Sequence, residues 1–152
     1  MKKTSHERCI FCSIAACEVN AHVVYESERV IAFLDINPIR LGHVQIIPIE
    51  HFGYFDDLPL TIAMEILSVG QQLSQALKAV SNVSRVAFLF TGGDIAHAHA
   101  HVVPMVEFDD ITSRQYIVEE RVSYRDAPRA AEHDLASCAA LLRDSLKASS
   151  ER

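Results

Sequence analysis

The stretch that decides the fold is His97-Ala98-His99-Ala100-His101-Val102-Val103, in which histidine alternates with small apolar residues. A β-strand has a side-chain period of two, so this alternation predicts a strand with all three imidazoles on one face. Imidazole titrates near neutral pH, so such a row can offer a nucleophile, a proton donor or metal ligands. The alternatives are an exposed histidine-rich strand and a single metal site that uses all three rings.

Four more runs of β-branched and aromatic residues precede the histidine row. They predict strands at 23–26, 29–35, 43–47 and 85–91, and the row itself predicts a fifth strand at 97–106. The first three are separated by short charged or Pro/Gly-containing breaks, which indicates antiparallel neighbours. A tight turn at Gly92-Gly93-Asp94 is expected to join the last two strands.

Two helices are predicted from apolar residues at spacings of three and four. The first follows Asp57 and Pro59, which suit an N-cap and a first turn, and its apolar positions are Ile62, Ile66, Val69, Leu73, Leu77 and Val80. The second covers 131–146 and carries Leu135, Cys138, Leu142 and Leu146 on one face. Grouped strands with separate helices predict an α+β fold with an antiparallel sheet of about five strands, one long helix and one C-terminal helix.

Length and composition limit the classes of function. The chain has 152 residues, which favours one domain with a single core. A formal net charge of -6 argues against nucleic acid as a partner, because backbone binding needs clustered Lys and Arg. No signal-like or membrane-length apolar run is found, and four cysteines without a scaffold pattern suit a reducing compartment. A cytoplasmic location without membrane contact is therefore predicted.

The histidine row resembles the signature of the histidine triad (HIT) family, His-x-His-x-His followed by two apolar residues. The resemblance extends through Cys9-Ile10-Phe11-Cys12, 30–36 and 42–48, so it implies a core at about 9–106 followed by a C-terminal extension at about 107–152. The chain is similar to the bacterial branch whose members act on dinucleoside polyphosphates and nucleoside phosphoramidates. This resemblance also implies a homodimer.

The resemblance assigns a catalytic role to three histidines. The middle histidine, His99, would attack the phosphorus bonded to the nucleoside, and water would then cleave the nucleotidyl-histidine. This chemistry needs a neutral ring with one free nitrogen, while the other nitrogen donates to a carbonyl. His101 would contact the phosphate or the bridging oxygen, and His43 would orient or support it.

A nucleoside pocket follows from the same resemblance. The base would stack against apolar positions, and Asp35 would accept the ribose hydroxyls. The apolar positions are Ile10, Phe11, Ile14, Phe33 and Ile36. Without the resemblance, Phe11, Ile14 and Phe33 would be interpreted as ordinary core residues.

A structural zinc ion is implied on Cys9, Cys12, His51 and His97. Two thiolates and two imidazoles make a closed tetrahedral set with no open position for catalysis. The alternative is a pair of free or redox-active thiols. Mg²⁺ is a further expected ion, carried with the substrate.

The loop before the triad departs from the family pattern. Gly93 and Asp94 stand where many members carry a glutamine and a serine, which places a negative charge near the phosphate. Thr91 is expected to replace an asparagine of the family, and Met105 stands where an arginine is common. Arg114 or Arg121 of the C-terminal extension could restore that cation if the extension packs beside the site.

Three functions remain open at this point. The leading hypothesis is hydrolysis of dinucleoside polyphosphates or nucleoside phosphoramidates, with adenosine compounds favoured by the resemblance. A nucleotidyltransferase of the same mechanism would pass the intermediate to a phosphate or sulfate acceptor. A non-catalytic nucleotide-binding protein would have lost turnover with its shortened loop.

Overall fold

One antiparallel sheet of five strands organises the protein. The computed structural model describes residues 9–93, 95–107, 109–111 and 127–150. The strands are β1 (Val23–Glu26), β2 (Val30–Leu34), β3 (Val44–Pro48), β4 (Arg85–Phe90) and β5 (Ala100–Met105), in the spatial order β1-β2-β3-β5-β4. The predicted α+β fold with about five antiparallel strands is confirmed.

The main core lies between one face of the sheet and two helices, α2 (Leu60–Ser81) and α3 (Glu132–Ser150). Leu73, Leu77 and Leu142 are fully buried there. Burying such a side chain contributes about 1.5–3 kcal/mol. Helix α2 approaches the sheet closely at Gly70, where an added Cβ would lie 2.4 Å from the ring of Phe88. Only glycine therefore fits this crossing of α2 over β4.

The start of α2 differs from the sequence prediction. Pro59 is the N-cap residue, and Asp57 belongs to a preceding 3₁₀ turn, Phe55–Asp57. The carboxylate of Asp57 accepts the N–H of Tyr54 at 3.1 Å, so it caps this turn and not the helix. The prediction that Asp57 is the helix N-cap is thus wrong, because its side chain caps the preceding 3₁₀ turn.

The opposite face of the sheet carries a smaller apolar cluster at one end. Phe11 and Ile14 from a short helix, α1 (Ile10–Ala15), pack there against Ile31, Phe33 and Ile47. Six residues are too few for a helical period to stand out in the sequence, so α1 was not predicted. Beyond this cluster the register places Phe33, Gln45, His101 and Leu89 side by side across β2, β3, β5 and β4.

None of the helices in the described part of the chain is long and apolar enough to cross a membrane.

Candidate active site

The histidine row begins before its strand. β5 starts at Ala100, so only His101 of the three histidines belongs to it. The predicted strand start at residue 97 is therefore wrong. A tight turn as the whole link between the last two strands is wrong too, because β4 ends at Phe90 and β5 begins at Ala100. Within this connection the N–H of Ala98 donates to the carbonyl of Phe52 at 2.7 Å.

His99 is held with one ring nitrogen occupied and the other free for chemistry. Its Nδ1 lies 2.7 Å from the backbone carbonyl of His97 and must donate, because a carbonyl oxygen only accepts. The neutral ring therefore keeps its lone pair on Nε2. The ring is 6% exposed and lies edge-on to Phe11 and to His101, with centroids 5.2 and 4.8 Å away.

A chain of hydrogen bonds joins His43, His101 and Thr91. The N–H of Ile39 donates to Nδ1 of His43 at 3.3 Å, so the neutral His43 ring carries its proton on Nε2. That Nε2–H donates to Nδ1 of His101 at 2.9 Å. His101 consequently carries its own proton on Nε2, which faces Thr91 Oγ1 at 3.1 Å.

Burial keeps the imidazole rings of His43 and His101 neutral. Burial lowers the pKa of His43, although the charge of Asp35 opposes that shift. The pKa of His101 falls to about 4, first through burial and then through the neighbouring His43 and His99. At neutral pH the rings therefore hold one proton each, as the hydrogen-bond chain requires.

Gly42 brings His43 into the site. It adopts a φ of 97°, a left-handed conformation that L side chains rarely tolerate. An added Cβ would also lie 3.0 Å from Cδ2 of Leu77. Glycine is thus needed at position 42 for the turn that leads into β3.

Asp35 lies just beyond the end of β2 with both oxygens already engaged. Oδ1 accepts the N–H of Asn37 at 2.8 Å, Oδ2 accepts Nε2 of Gln45 at 2.6 Å, and Oδ2 lies 3.7 Å from Nδ1 of His43. A carboxylate has about four lone-pair positions, so it retains capacity for further donors.

Gln45 is a site residue that the sequence analysis did not identify. It orients Asp35, and its own Oε1 is buried without a hydrogen-bond partner among the described residues. The available signal was a polar residue between Val44 and Ile46 in a strand that is otherwise buried. Without the register, that residue could equally have faced solvent.

The residues expected to hold the nucleoside divide into two groups. Phe11, Ile14 and Phe33 are at most 9% exposed and form part of the smaller apolar cluster, as an ordinary core would. Ile10 and Ile36 are 44% and 43% exposed. Asp94 lies outside the described residues, as do Arg114 and Arg121.

A cavity of about 380 Å³ opens beside His99. Tyr54, Phe55 and Phe90 supply aromatic lining, Thr91 supplies a hydroxyl and Asp56 a carboxylate. Phe55 and Phe90 contact each other with centroids 4.7 Å apart. Among the described residues, no lysine or arginine lines this cavity.

Cys9, Cys12, His51 and His97 come together as a compact donor set. Their ligand atoms all lie within 4.8 Å of one another. Sγ of Cys12 is 3.2 Å from Nδ1 of His51, and Sγ of Cys9 is 3.4 Å from Nδ1 of His97. The cluster is therefore able to hold a metal ion.

The geometry of this cluster fits a tetrahedral ion. Bonds of about 2.3 Å to sulfur and about 2.0 Å to nitrogen separate the two ligands by about 3.5 Å at a tetrahedral angle. Nε2 of His97 donates to the carbonyl of Pro48 at 3.0 Å, which turns the Nδ1 lone pair toward the thiols. Burial, and then contact with Cys9, raises the pKa of Cys12 to about 11. A cation would therefore have to displace the thiol protons.

The comparison with known protein families matches a HIT domain over residues 16–108. An uncharacterized HIT-like protein of Methanocaldococcus jannaschii is 38% identical over 109 residues, which are 66% of this chain and 81% of that protein.

Two further relatives, each 34% identical over 109 residues and 66% of this chain, carry functional names. One is adenosine 5′-monophosphoramidase of Candida albicans, matched over 72% of its length. The other is the bifunctional adenosine 5′-phosphosulfate phosphorylase/adenylylsulfatase of Arabidopsis thaliana, matched over 74% of its length.

Among solved structures, a Zn-bound histidine triad family protein from Mycobacterium smegmatis superposes with a TM-score of 0.74 at 25% identity. The match covers 97% of this chain and 99% of that one.

Proposed function

Because this chain belongs to the HIT family, we propose that it is a nucleotide hydrolase that works through a covalent nucleotidyl-histidine on His99. The observation that carries this proposal is the hydrogen bond from Nδ1 of His99 to the carbonyl of His97, which leaves Nε2 as a free nucleophile. In the first step the Nε2 lone pair forms a bond to phosphorus while the bond to the leaving oxygen or nitrogen breaks. The ring becomes positively charged, and the carbonyl of His97 stabilises its Nδ1–H.

His101 is the hydrogen-bond donor to the leaving atom in this proposal, and solvent supplies the proton that this atom takes up. The Nε2–H of His101 faces Thr91 Oγ1 in the ligand-free site and would turn to the leaving atom. Water then attacks the same phosphorus, the bond to His99 breaks, and the proton released from water returns to solvent. The products are a nucleoside monophosphate and the protonated leaving group.

The nucleoside lies, in this proposal, on the side of His99 where Phe11 stands. Ile10 and Ile36 are exposed enough to contact a base, with Phe11 and Phe33 supporting them from the core. Asp35 has lone pairs left for ribose hydroxyls after binding Asn37 and Gln45.

The cavity beside His99 would take the leaving group. Its aromatic lining and its lack of cations among the described residues favour an amine with a flat apolar group over a polyphosphate. Phosphoramidates are therefore the preferred substrate class, and the phosphoramidase name of one relative favours adenosine as the nucleoside. The test is to incubate the protein with an adenosine phosphoramidate of an aromatic amine and with diadenosine tetraphosphate, and to measure released AMP. Faster release from the tetraphosphate would contradict this preference, and release from neither would contradict hydrolysis and leave a binding protein.

A second candidate is transfer of the nucleotidyl group to phosphate. The relative named as a phosphorylase favours it, because phosphate can replace water as the acceptor of the same intermediate. Adding inorganic phosphate to the phosphoramidate reaction distinguishes the two. ADP would appear in place of AMP if transfer competes with hydrolysis.

Zinc is the metal proposed for the cluster of Cys9, Cys12, His51 and His97. The donor set and the spacing of its atoms support zinc, and a solved relative contains zinc. The ion would join α1 to the connection between β4 and β5, which carries His97 and His99. The role is structural, since four protein ligands leave no position for substrate. Mg²⁺ bound with the substrate and a cytoplasmic location stay predictions.

The proposed assembly is a homodimer formed through α2 and β4. Leu60, Met64 and Leu67 follow one side of α2 and are 74%, 61% and 51% exposed. β4 lies at one edge of the sheet and contacts α2. An exposed apolar stripe next to a sheet edge is typical of a surface that a second copy covers.

A further inference from the structure

The turn between β2 and β3, at residues 36–41, connects the C-terminal extension to the active site. We call it the 36–41 loop. On one side, it supplies backbone N–H groups to the site: Asn37 donates to Asp35 and Ile39 donates to His43. On the other side, it is held by residues from the far end of the chain.

The strongest of these attachments is the ion pair between Arg40 and Asp110. Nε and Nη2 of Arg40 lie 2.8 and 2.7 Å from Oδ1 of Asp110. Oδ2 accepts the backbone N–H groups of Val106 and Glu107 at 2.8 and 2.9 Å. The carboxylate is only 6% exposed and is bonded on both oxygens, so it is a rigid anchor at the end of β5.

Two weaker attachments hold the other end of the loop. Nδ2 of Asn37 donates to the carbonyl of Ala127 at 3.0 Å. The N–H of Ala130 donates to the carbonyl of Ile36 at 2.9 Å. The extension thus holds the 36–41 loop at both ends.

The position of Ile39 decides which tautomer His43 adopts. Two groups compete for Nδ1 of His43: the Ile39 N–H, which needs a lone pair there, and Asp35 Oδ2 at 3.7 Å, which would favour a proton there. If the Ile39 N–H moved away, Nδ1 could carry the proton toward Asp35, and Nε2 would become an acceptor. His101 would then donate from Nδ1 to His43 and lose the proton from Nε2, the atom that faces Thr91 here and would donate to the leaving atom in the proposed reaction.

We propose that Arg40 and Asp110 are positioning residues, which hold the 36–41 loop so that the His43–His101 pair presents a proton on Nε2 of His101. The C-terminal extension acts on the reaction through this loop. The kinetic part of the inference rests on the proposed function, whereas the tautomer itself is observable without turnover.

The test compares two ion pairs of similar geometry. Arg40→Gln breaks the anchor, and Arg29→Gln breaks the pair in which Nε and Nη2 of Arg29 lie 2.8 and 2.6 Å from Oε2 of Glu65, between the β1–β2 turn and α2. Tautomers of His43 and His101 are measured by long-range ¹H–¹⁵N NMR, and kcat and KM are measured with an adenosine phosphoramidate. We expect Arg40→Gln to convert a substantial fraction of His43 to the Nδ1–H form and to lower kcat by about tenfold, with KM changed less than about twofold. Arg40→Lys should lie between Arg40→Gln and the wild type.

The outcomes distinguish failure of this inference from failure of the proposed function. Unchanged His43 and His101 tautomers in Arg40→Gln would overturn the inference, as would equal losses of kcat in Arg40→Gln and Arg29→Gln. If the wild type turns over no nucleotide, the proposed function fails, and the tautomer measurement still decides the role of the anchor. Should Arg40→Gln fold poorly, the same measurements on Arg40→Lys decide it.

Discussion

The Nδ1–H of His99 donates to the backbone carbonyl of His97 at 2.7 Å, so a residue of the cluster proposed to bind zinc directly orients the proposed nucleophile. The side chain of His97 is itself fixed by Pro48 and by the cysteines. Any loosening of His97 should therefore move the carbonyl that selects the tautomer of His99. Changes in the cluster should therefore alter the reactivity of His99 as well as the stability of the fold.

Removing the nucleophile should abolish turnover without unfolding the protein. His99→Ala leaves β5 and the residues proposed to contact the nucleoside unchanged. The value of kcat should therefore fall by about three orders of magnitude or more, while AMP affinity changes little. Mass spectrometry of acid-quenched wild type should show a nucleotidyl adduct on His99. An adduct on another residue, or a near-normal rate in the variant, would refute the assignment.

Removing the proposed zinc ion should lower both stability and activity. Four ligands from separate segments stabilise a small fold when an ion joins them, so chelation or Cys12→Ser should lower Tm by more than about 5 °C. Activity should fall as well, because His97 would no longer hold its carbonyl toward His99. Cys17→Ser, at an exposed cysteine outside the cluster, is the matched control and should change neither. Elemental analysis that finds no zinc or comparable metal in the purified protein would contradict this prediction.

Asp35 should strengthen the binding of nucleotides that carry ribose hydroxyls. Asp35→Ala should weaken binding of AMP by about tenfold and that of its 2′,3′-dideoxy analogue by less than about twofold, since the analogue has no hydroxyl to donate. Isothermal titration calorimetry measures both. Asp144→Ala, an exposed acid on α3, is the control. Equal losses for both ligands would exclude this role for Asp35.

His101 should make the protein less stable in mild acid. Its folded pKa of about 4 lies below the ordinary value of 6.5, so the unfolded chain binds this proton first as the pH falls between those values. The unfolding free energy should therefore fall in that window, and His101→Gln should reduce the fall between about pH 7 and about pH 4.5. Urea titrations measure it, with the exposed His133→Gln as control. An identical fall in wild type and His101→Gln would contradict the lowered pKa.

The exposed stripe on α2 should be the dimer contact. Met64→Glu places a charge in its middle and should convert a dimer to a monomer in light-scattering chromatography. Leu141→Glu alters a residue of similar exposure, 55%, on α3 and should leave the dimer intact. A wild-type monomer at all concentrations would end the dimer proposal.

Much of the secondary structure could be predicted because its signals are local. The runs of β-branched and aromatic residues in 23–26 and 43–47 and the period of three to four in 62–80 depend only on neighbours in sequence, and the observed β1, β3 and α2 lie close to those ranges. The connection from β4 to β5 could not be predicted in this way. Its path depends on Phe52, which binds Ala98, and on the cysteines that draw His97 out of the strand.

The sequence by itself determined the donor types and their order: three alternating histidines, a cysteine pair and an acid after a buried strand. These are properties of residue type and spacing. Only the tertiary structure decided which nitrogen of each histidine carries the proton, because that depends on which carbonyl or N–H group the fold brings to each ring, such as those of Pro48 and Ile39. It also brought Arg40 to Asp110, seventy positions away along the chain, and turned Gln45 toward Asp35. Hydrogen bonds act over about 3 Å in space, and sequence spacing alone does not specify such proximity.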